Sequence, residues 1–270
     1  MTRRHESDLP DLRSALDLTG RVALVTGGGK GVGRGITRRF LEAGAQVVIC
    51  GRSEPAEPIE VAGRHPVFVP ADVRDVEQSA ALVAAAVERF GRLDVLVNNA
   101  GGAPEADAAT VSPRFSEAIL RLNLIAPLNL CQQANAVMQR QDEGGSIINI
   151  ASVSGVRPSP GTAAYGAAKA GLLSLTTTLA VEWAPRVRVN AITAGMIRTE
   201  QAHLHYGDDE GIAAVAQTVP LGRLGEPEDV GDACLYLASP LARYVTGANL
   251  LLHGGGEKPA FLSAAKNKSD

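Results

Sequence analysis

Cysteine is scarce in this sequence, and so are the features that mark membrane proteins. Cys50, Cys131 and Cys234 are the only cysteines among 270 residues. They are odd in number, far apart and without CxxC spacing, which favours buried free thiols over disulfides or a zinc site. No apolar run approaches the roughly 18 residues of a membrane helix, and none follows the basic N-terminus as in a signal peptide. We therefore expect a cytoplasmic protein with no membrane partner.

Positive charge is not in excess either. The net charge is −3 and the pI is about 6.0, and no Lys/Arg cluster is denser than the pairs at 3–4 and 38–39. A nucleic-acid partner is disfavoured because such proteins carry a basic surface. His203 and His205 form an HxH pair, but no third ligand stands at a suitable spacing, and we expect no metal site.

What the chain does have is a regular alternation of two apolar patterns. Seven short runs are nearly continuously apolar, as in strands covered on both faces: RVALVT (21–26), QVVIC (46–50), PVFVPA (66–71), LDVLVN (93–98), SIINIA (146–151), VRVNAI (187–192) and NLLL (249–252). Helical patterns at 31–43, 75–90, 113–140, 163–183 and 226–238 separate them. This alternation predicts an α/β fold, a Rossmann-type doubly wound parallel sheet of about seven strands with helices on both faces, in a single domain.

A glycine-rich stretch, TGGGKGVGRG (26–35), follows the first predicted strand and opens the first predicted helix. Its spacing fits neither G-x-G-x-x-G nor the P-loop pattern. Glycine nevertheless lets a ligand approach the backbone, and a helix start directs free N–H groups and a positive dipole end at an anion. At this place in an open sheet the stretch predicts a diphosphate site, with a merely flexible turn as the other interpretation.

The residues after the second predicted strand indicate which dinucleotide would bind. An NAD site would have an acid there for the ribose 2′-OH, whereas this chain has Arg52 and Ser53, and Lys30 comes from the glycine loop. Two positive charges suit a 2′-phosphate, so we predict NADP(H); the alternative is that both are solvated surface charges. Asp72 is a candidate acceptor for the adenine amine, or an ordinary helix cap.

Taken in order, these motifs resemble the short-chain dehydrogenase/reductase family over about 18–255 of the chain. TGGGKGVG is similar to the family's T-G-x-x-x-G-x-G loop, NNAG (98–101) to its next motif, and YGAAK (165–169) to its Y-x-x-x-K. The resemblance implies a catalytic tetrad of Asn123, Ser152, Tyr165 and Lys169. It also implies cofactor contacts at Gly27, Lys30, Gly31, Val32, Gly33, Arg52, Ser53, Asp72, Val73, Asn99, Ala100, Gly101, Tyr165, Lys169, Gly195, Ile197 and Thr199. We expect an N-terminal arm (1–17), an NADP-binding catalytic domain (18–256) and a C-terminal tail (257–270).

The spacing of four between Tyr165 and Lys169 places both on one face of a helix. A free phenol has a pKa of about 10, and a nearby ammonium lowers it, so we expect a usable acid–base pair. The resemblance implies that Tyr165 protonates the developing alkoxide, Ser152 hydrogen-bonds the carbonyl oxygen and Lys169 holds the nicotinamide ribose. It makes Asn123 the anchor of a water that relays protons to Lys169. The alternatives are a turn cap for Ser152, a packed aromatic for Tyr165, a surface amine for Lys169 and back-bonding to its own helix for Asn123.

We therefore expect an NADP(H)-dependent ketoreductase or alcohol dehydrogenase whose substrate is a small-molecule carbonyl or alcohol compound. A nonenzymatic NADP-binding sensor or scaffold is the alternative, and a nucleotide-sugar epimerase or dehydratase is disfavoured because no sizeable C-terminal substrate domain follows. Residues 196–220 are predicted to form a mobile lid in which Met196, Leu204 and Tyr206 favour an apolar substrate such as a 3-oxoacyl or steroid-like ketone.

Three further expectations concern assembly and two departures from the family pattern. Apolar residues on several sides of the helical patterns 113–140 and 163–183 predict a homo-oligomer, a dimer or a tetramer. Ala194 replaces the family's usual proline, which predicts a more mobile loop after the sixth strand. His253 replaces a more usual aspartate near the close of the last strand.

Overall fold

The computed structural model of the protein describes residue 11 and residues 14–265. Seven parallel strands form one sheet in the order β3-β2-β1-β4-β5-β6-β7. They are β1 (Val22–Thr26), β2 (Gln46–Gly51), β3 (Val67–Pro70), β4 (Val95–Asn98), β5 (Gly145–Ser152), β6 (Val187–Ala194) and β7 (Asn249–Leu252). The predicted doubly wound sheet is confirmed, and the strand order reverses between β1 and β4, where open sheets of this kind bind ligands.

The helices lie on both faces of the sheet. They are α1 (Gly31–Glu42), α2 (Val76–Phe90), α3 (Pro113–Leu120), α4 (Ala126–Met138), α5 (Ala163–Trp183), α6 (His203–Tyr206), α7 (Asp209–Thr218), α8 (Pro227–Ala238) and α9 (Ala260–Ala264). Side chains of α2, α4 and α5 build one apolar cluster, and those of α1 and α8 build the other. In β1, Val22 and Leu24 enter the first cluster while Ala23 and Val25 enter the second, because successive strand residues face opposite ways.

Two predicted helix starts move by one residue because the first predicted residue is a cap. Asp75 accepts hydrogen bonds from the N–H groups of Glu77 (2.9 Å) and Gln78 (3.1 Å), so α2 begins at Val76. Glu226 forms a capping box with Asp229, and α8 begins at Pro227. Both arrangements satisfy N–H groups that the helix itself cannot.

Two predicted segments contain local structure that their sequence patterns did not show. The single helix predicted over 113–140 is interrupted by a π-helical turn, Arg121–Ile125, between α3 and α4. The segment 196–220, predicted to form a mobile lid, contains the helices α6 and α7. The Asp208 side chain accepts a hydrogen bond from Gly211 N at 3.0 Å, and this cap allows α7 to form where the mixed composition hid its pattern.

The described parts of the predicted N-terminal arm and C-terminal tail contact the rest of the domain. The predicted arm 1–17 lies largely outside the described residues, but within it Ala15 is buried. The predicted tail contains α9, and Lys258 N donates a hydrogen bond to Thr218 O at 2.9 Å. No helix within the described part of the chain is long and apolar enough to cross a membrane.

Candidate active site

The glycine loop between β1 and α1 has the conformation that close approach of a ligand requires. Gly27 and Gly31 have positive φ, at 63° and 50°. A Cβ on Gly33 would lie 2.2 Å from the Gly27 carbonyl oxygen, so only glycine fits there. Gly31 is the first residue of α1, whose first turn leaves free N–H groups at this loop. The loop is therefore built to accept an anion.

Thr26 and the NNAG segment tie β1 to β4 beside this loop. The Thr26 hydroxyl accepts hydrogen bonds from the backbone N–H groups of Asn99 (3.0 Å) and Ala100 (2.9 Å). Asn99 Nδ2 donates to the Thr26 carbonyl at 2.8 Å. Asn99 and Ala100 lie directly against Gly27, so the two motifs hold each other in place.

The predicted 2′-phosphate group is exposed. Lys30, Arg52 and Ser53 are all exposed, and within the described residues none of their side chains has a hydrogen-bond or ion-pair partner. Asp72 accepts hydrogen bonds from Arg74 Nε at 2.9 and 3.1 Å. The hydrogen bonds from the Arg74 guanidinium lower the pKa of Asp72 to about 2. Burial opposes this shift, and the Arg52 charge adds to it. Asp72 is thus an ionised partner of Arg74 at the end of β3.

Tyr165 and Lys169 lie one turn apart near the start of α5. Lys169 Nζ is 5.5 Å from the centre of the Tyr165 ring and donates a hydrogen bond to the Ile150 carbonyl at 2.8 Å. Burial lowers the pKa of the Lys169 ammonium to about 8. Burial also raises the pKa of Tyr165, and the Ser152 hydroxyl partly offsets this. Burial is the largest cause of the shift, and Lys169 is not among its causes, so the expected lowering of the Tyr165 pKa by Lys169 stays a prediction.

Ser152 ends β5 and does two things at once. Its hydroxyl caps the turn at Val153–Gly155 by accepting a hydrogen bond from Ser154 N at 3.2 Å, and it also reaches Tyr165. The turn packs closely on α5: a Cβ on Gly166 would lie 2.7 Å from Ser154 O. A Cβ on Gly155 would meet Ala170 N at 2.8 Å. The small residues around Tyr165 therefore bring Ser152 within its reach.

Asn123 lies in the π-helical turn and is fully buried. Its Nδ2 donates to the carbonyls of Ile119 (2.9 Å) and Gly102 (3.0 Å), and its Oδ1 accepts from Gly102 N at 2.9 Å. The predicted alternative of back-bonding is thus present. A Cβ on Gly101 would lie 2.6 Å from Asn123 Oδ1 and 3.3 Å from Lys169 Nζ. Gly101 therefore allows Asn123 and Lys169 to share one small space, and π turns are frequent at functional sites.

The remaining predicted contacts divide into loop positions and core positions. Val73 is buried in the first apolar cluster, and the partly buried Val32 and Ile197 pack against the second. Thr199 Cγ2 would lie 3.5 Å from a Cβ on Gly31. Ala194 extends β6 by pairing with Ser152 and Leu252, and the greater mobility expected for the loop after it stays a prediction.

Gly195 and the last strand meet at the second departure from the family pattern. A Cβ on Gly195 would lie 2.7 Å from His253 Cβ, and Gly195 N donates to Leu252 O at 2.8 Å. His253 therefore closes β7 directly against Gly195.

A cavity that no sequence pattern indicated lies beside Tyr165. The cavity has a volume of about 100 Å³ and is lined by Ala103, Pro104, Ala106, Ala108, Val111, Phe115, Ser116, Ile119, Gly161, Thr162, Ala163, Ala164 and Tyr165. None of the predicted lid residues Met196, Leu204 and Tyr206 is among them, and Leu204 is 68% exposed. The irregular segment before α3 carried no sequence signal that placed it against α5.

A buried polar chain behind the site was also missed. Asn98 Nδ2 donates to Asn149 Oδ1 at 2.9 Å, and Asn149 Nδ2 donates to Thr176 Oγ1 at 2.9 Å. Asn98 Oδ1 is buried and has no partner among the described residues. The chain ties β4, β5 and α5 together, so it holds the helix that carries Tyr165. The three cysteines are free and buried, as predicted.

These residues fit a dinucleotide. The glycine loop leaves no room for a side chain at Gly33, the start of α1 offers N–H donors to a diphosphate, and Lys169 is a buried cation whose hydrogen-bond partner in the described structure is one carbonyl. A lysine ammonium has three donors, so capacity remains for ribose hydroxyls.

The chain is similar to proteins of known class over nearly its whole length. The sequence pattern of the family described as enoyl-(acyl carrier protein) reductase matches residues 27–257. L-rhamnose 1-dehydrogenase (NAD(P)(+)) of Azotobacter vinelandii is 38% identical over 88% of this chain and 97% of that protein. 3beta-hydroxysteroid dehydrogenase 1 of Eggerthella lenta is 40% identical over 88% and 94%. The ligand-free aldohexose dehydrogenase of Thermoplasma acidophilum has a TM-score of 0.82 and 29% identity, covering 94% of this chain and 98% of that one.

Proposed function

Because the chain belongs to the short-chain dehydrogenase/reductase family, we propose that it is an NADP(H)-dependent enzyme that interconverts a ketone and a secondary alcohol. Its family makes it an oxidoreductase of CH–OH groups that uses a nicotinamide cofactor. The observation that carries the finer proposal is the convergence of Ser152, Tyr165 and Lys169 at the carboxyl end of β5. Lys169 also lies close to Gly101 of the NNAG segment, which packs on the glycine loop at Gly27.

Each side chain has a defined task in the reductive direction. When bound, a reduced nicotinamide would supply the hydride that the carbonyl carbon receives. Ser152 donates a hydrogen bond to the carbonyl oxygen, and Tyr165 gives that oxygen a proton as the C=O electron pair moves onto it. The raised pKa of Tyr165 keeps the phenol protonated at neutral pH, as an acid must be. Lys169 then restores the proton to Tyr165, and Asn123 anchors the water that resupplies Lys169, since its Oδ1 can accept one further hydrogen bond.

The preference for NADP(H) rests on charge. Arg52 and Lys30 lie at the predicted ribose end, exposed and with no ion-pair partner among the described residues. A 2′-phosphate would engage both, and Arg52 could do so with two parallel N–H groups. The alternative is that Lys30 and Arg52 are solvated surface charges, in which case Arg52→Ala would not weaken NADPH binding more than NADH binding.

The substrate we propose is an apolar ketone such as a 3-oxoacyl or steroid-like compound. The support is the cavity beside Tyr165, whose walls include Val111, Phe115 and Ile119. Apolar walls with a few converging polar groups are typical of small-molecule sites. The predicted lid residues Met196, Leu204 and Tyr206 do not line this cavity.

The experiment is NADPH oxidation with matched panels of apolar ketones, 3-oxoacyl thioesters and sugars. We expect turnover with apolar ketones. NADPH binding without turnover on any panel would instead favour the nonenzymatic sensor, and turnover confined to charged sugars would overturn the substrate class.

We also propose a homo-oligomer, a dimer or tetramer, of cytoplasmic location. Val181 on α5 is 82% exposed, and Leu250 and Leu251 on the edge strand β7 are exposed as well. Such apolar surface is typical of subunit contacts. Sedimentation at micromolar concentration tests this, and a monomeric mass would overturn it.

A further inference from the structure

The N-terminus of α1 already holds a negatively charged group. Gly31 N is 3.0 Å from Glu200 Oε1 and 3.2 Å from Oε2, so the backbone N–H donates to both carboxylate oxygens. Gly31 begins α1, and an anion at this place is stabilised by the free N–H groups and by the helix dipole. A carboxylate therefore stands where the diphosphate of a dinucleotide would need to lie.

No ion pair with a side chain of the described residues accounts for the position of the Glu200 carboxylate at Gly31 N. Glu200 lines a cavity of about 470 Å³ together with Arg34, Arg38 and Arg198. Arg34 pairs with Glu57 at 3.7 Å, and Arg38 pairs with Glu228 at 3.5 Å. Within the described residues Glu200 has no ion pair, so its interaction is with the backbone that a phosphate would use.

The segment that carries Glu200 is fastened on one side of it. Gly225 N donates to Met196 O at 2.9 Å, and Arg198 N donates to Gly225 O at 2.7 Å. These bonds hold 196–198 against the residues that precede α8. Glu200 follows two residues later and leads into α6, whose Leu204 is largely exposed. Ala202, at the start of this helix, is buried, whereas the Glu200 side chain is exposed and can leave Gly31 by a change of rotamer while the backbone of the segment stays in place.

We propose that Glu200 is a latch that competes with the cofactor diphosphate for the N-terminus of α1. The inference rests on the proposed function for the identity of the ligand. Binding of the dinucleotide displaces the Glu200 carboxylate from Gly31 N–H. Because this contact must be broken, the observed affinity is lower than that of a protein without the contact. The latch lowers the affinity for NAD⁺ and NADP⁺ alike, because both carry the same diphosphate, whereas Arg52 acts on the 2′-phosphate alone.

The test compares the affinity of Glu200→Gln, Glu228→Gln and the wild type for NAD⁺ and NADP⁺ by calorimetric titration without substrate. Glu228→Gln is the matched control, since it removes the same charge from the same cavity and does not touch Gly31. We expect Glu200→Gln to lower Kd for both dinucleotides by about three- to tenfold, the range that a charge at a helix end supports. We expect a smaller change for the control.

Three results would overturn the latch. They are an unchanged or raised Kd for Glu200→Gln, an equal gain for Glu228→Gln, and a gain confined to one of the two dinucleotides. Each would leave wild-type binding and turnover, and hence the proposed function, intact. If no protein in the set bound either dinucleotide, the proposed function would fail together with the latch.

Discussion

Lys169 Nζ lies 5.5 Å from the centre of the Tyr165 ring and gives its hydrogen bond to the Ile150 carbonyl, not to the phenol. The two side chains are neighbours in an environment that burial dominates. Burial raises the pKa of Tyr165 and lowers that of Lys169 to about 8. At neutral pH the phenol therefore holds its proton and the ammonium retains most of its charge, which suits reduction of a carbonyl.

Tyr165→Phe should remove the proton donor and little else. The ring and its packing on α5 remain, so we expect a folded protein that binds NADPH nearly as well as the wild type. General acid catalysis is worth about 10²- to 10⁴-fold, so kcat should fall within or beyond that range. Tyr244→Phe is the control, because Tyr244 is fully exposed. Near wild-type kcat in Tyr165→Phe, with chemistry rate-limiting, would exclude Tyr165 as the acid.

Lys169→Met should change how stability depends on pH. The pKa of Lys169 falls from 10.5 to about 8 on burial, so the charged amine destabilises the folded state below pH 8, and this penalty fades as pH rises toward 10.5. The full penalty is at most about 3 kcal/mol. Denaturant unfolding at pH 7 and pH 10 should show the wild type gaining on the variant as pH rises. A difference that does not vary with pH would contradict a desolvated ammonium.

The same substitution should also abolish most turnover, since Lys169 returns the proton to Tyr165. For Lys30→Met, which removes an exposed lysine, the difference in unfolding free energy from the wild type should not change in this way between pH 7 and pH 10. Its effect should instead fall on the affinity for NADPH.

Arg52→Ala should weaken NADPH binding far more than NADH binding. A hydrogen bond to a charged group is worth about 1.5–3 kcal/mol, which is roughly one to two orders of magnitude in Kd. Fluorescence titration with each cofactor measures the ratio, and Arg243→Ala, at an exposed arginine outside the glycine loop, serves as the control. An equal loss of affinity for both cofactors would mean that Arg52 contributes to folding and not to cofactor selectivity. A wild type that prefers NADH would overturn the proposal that these charges select NADPH.

Gly33→Ala should disrupt the glycine loop although alanine is the better helix former. Its Cβ would lie 2.2 Å from Gly27 O and 2.5 Å from Asn99 Nδ2, so the loop must shift. We expect Kd for NADP⁺ to rise by about tenfold or more, by the arithmetic of a lost charge-assisted contact. Gly29→Ala is the matched control, because its Cβ meets only the Pro55 ring, at 2.8 Å, and that exposed loop can yield. A Gly33→Ala protein that binds NADP⁺ like Gly29→Ala would show that close approach at Gly33 is not required.

The sequence by itself determined the architecture. Continuously apolar runs such as β1, separated by helical patterns, are compatible with few arrangements other than a sheet covered on both faces. It also determined which residues share the carboxyl edge of the sheet, because parallel strands end together and Ser152 closes one of them. The spacing within YGAAK placed Tyr165 and Lys169 one turn apart on α5, since helix geometry is local.

Only the tertiary structure decided how those residues behave. The pKa of Tyr165 depends on how deeply α5 packs against the turn after Ser152, and sequence spacing carries no information on burial. Part of the cavity wall, at 103–111, comes from an irregular segment before α3 that has no hydrophobic periodicity, so the sequence did not place it against Phe115 and Ile119 of α3. The contact between Glu200 and Gly31 joins positions 169 residues apart; it exists because the chain folds the segment after β6 back over α1, and no local pattern specifies a meeting across that distance.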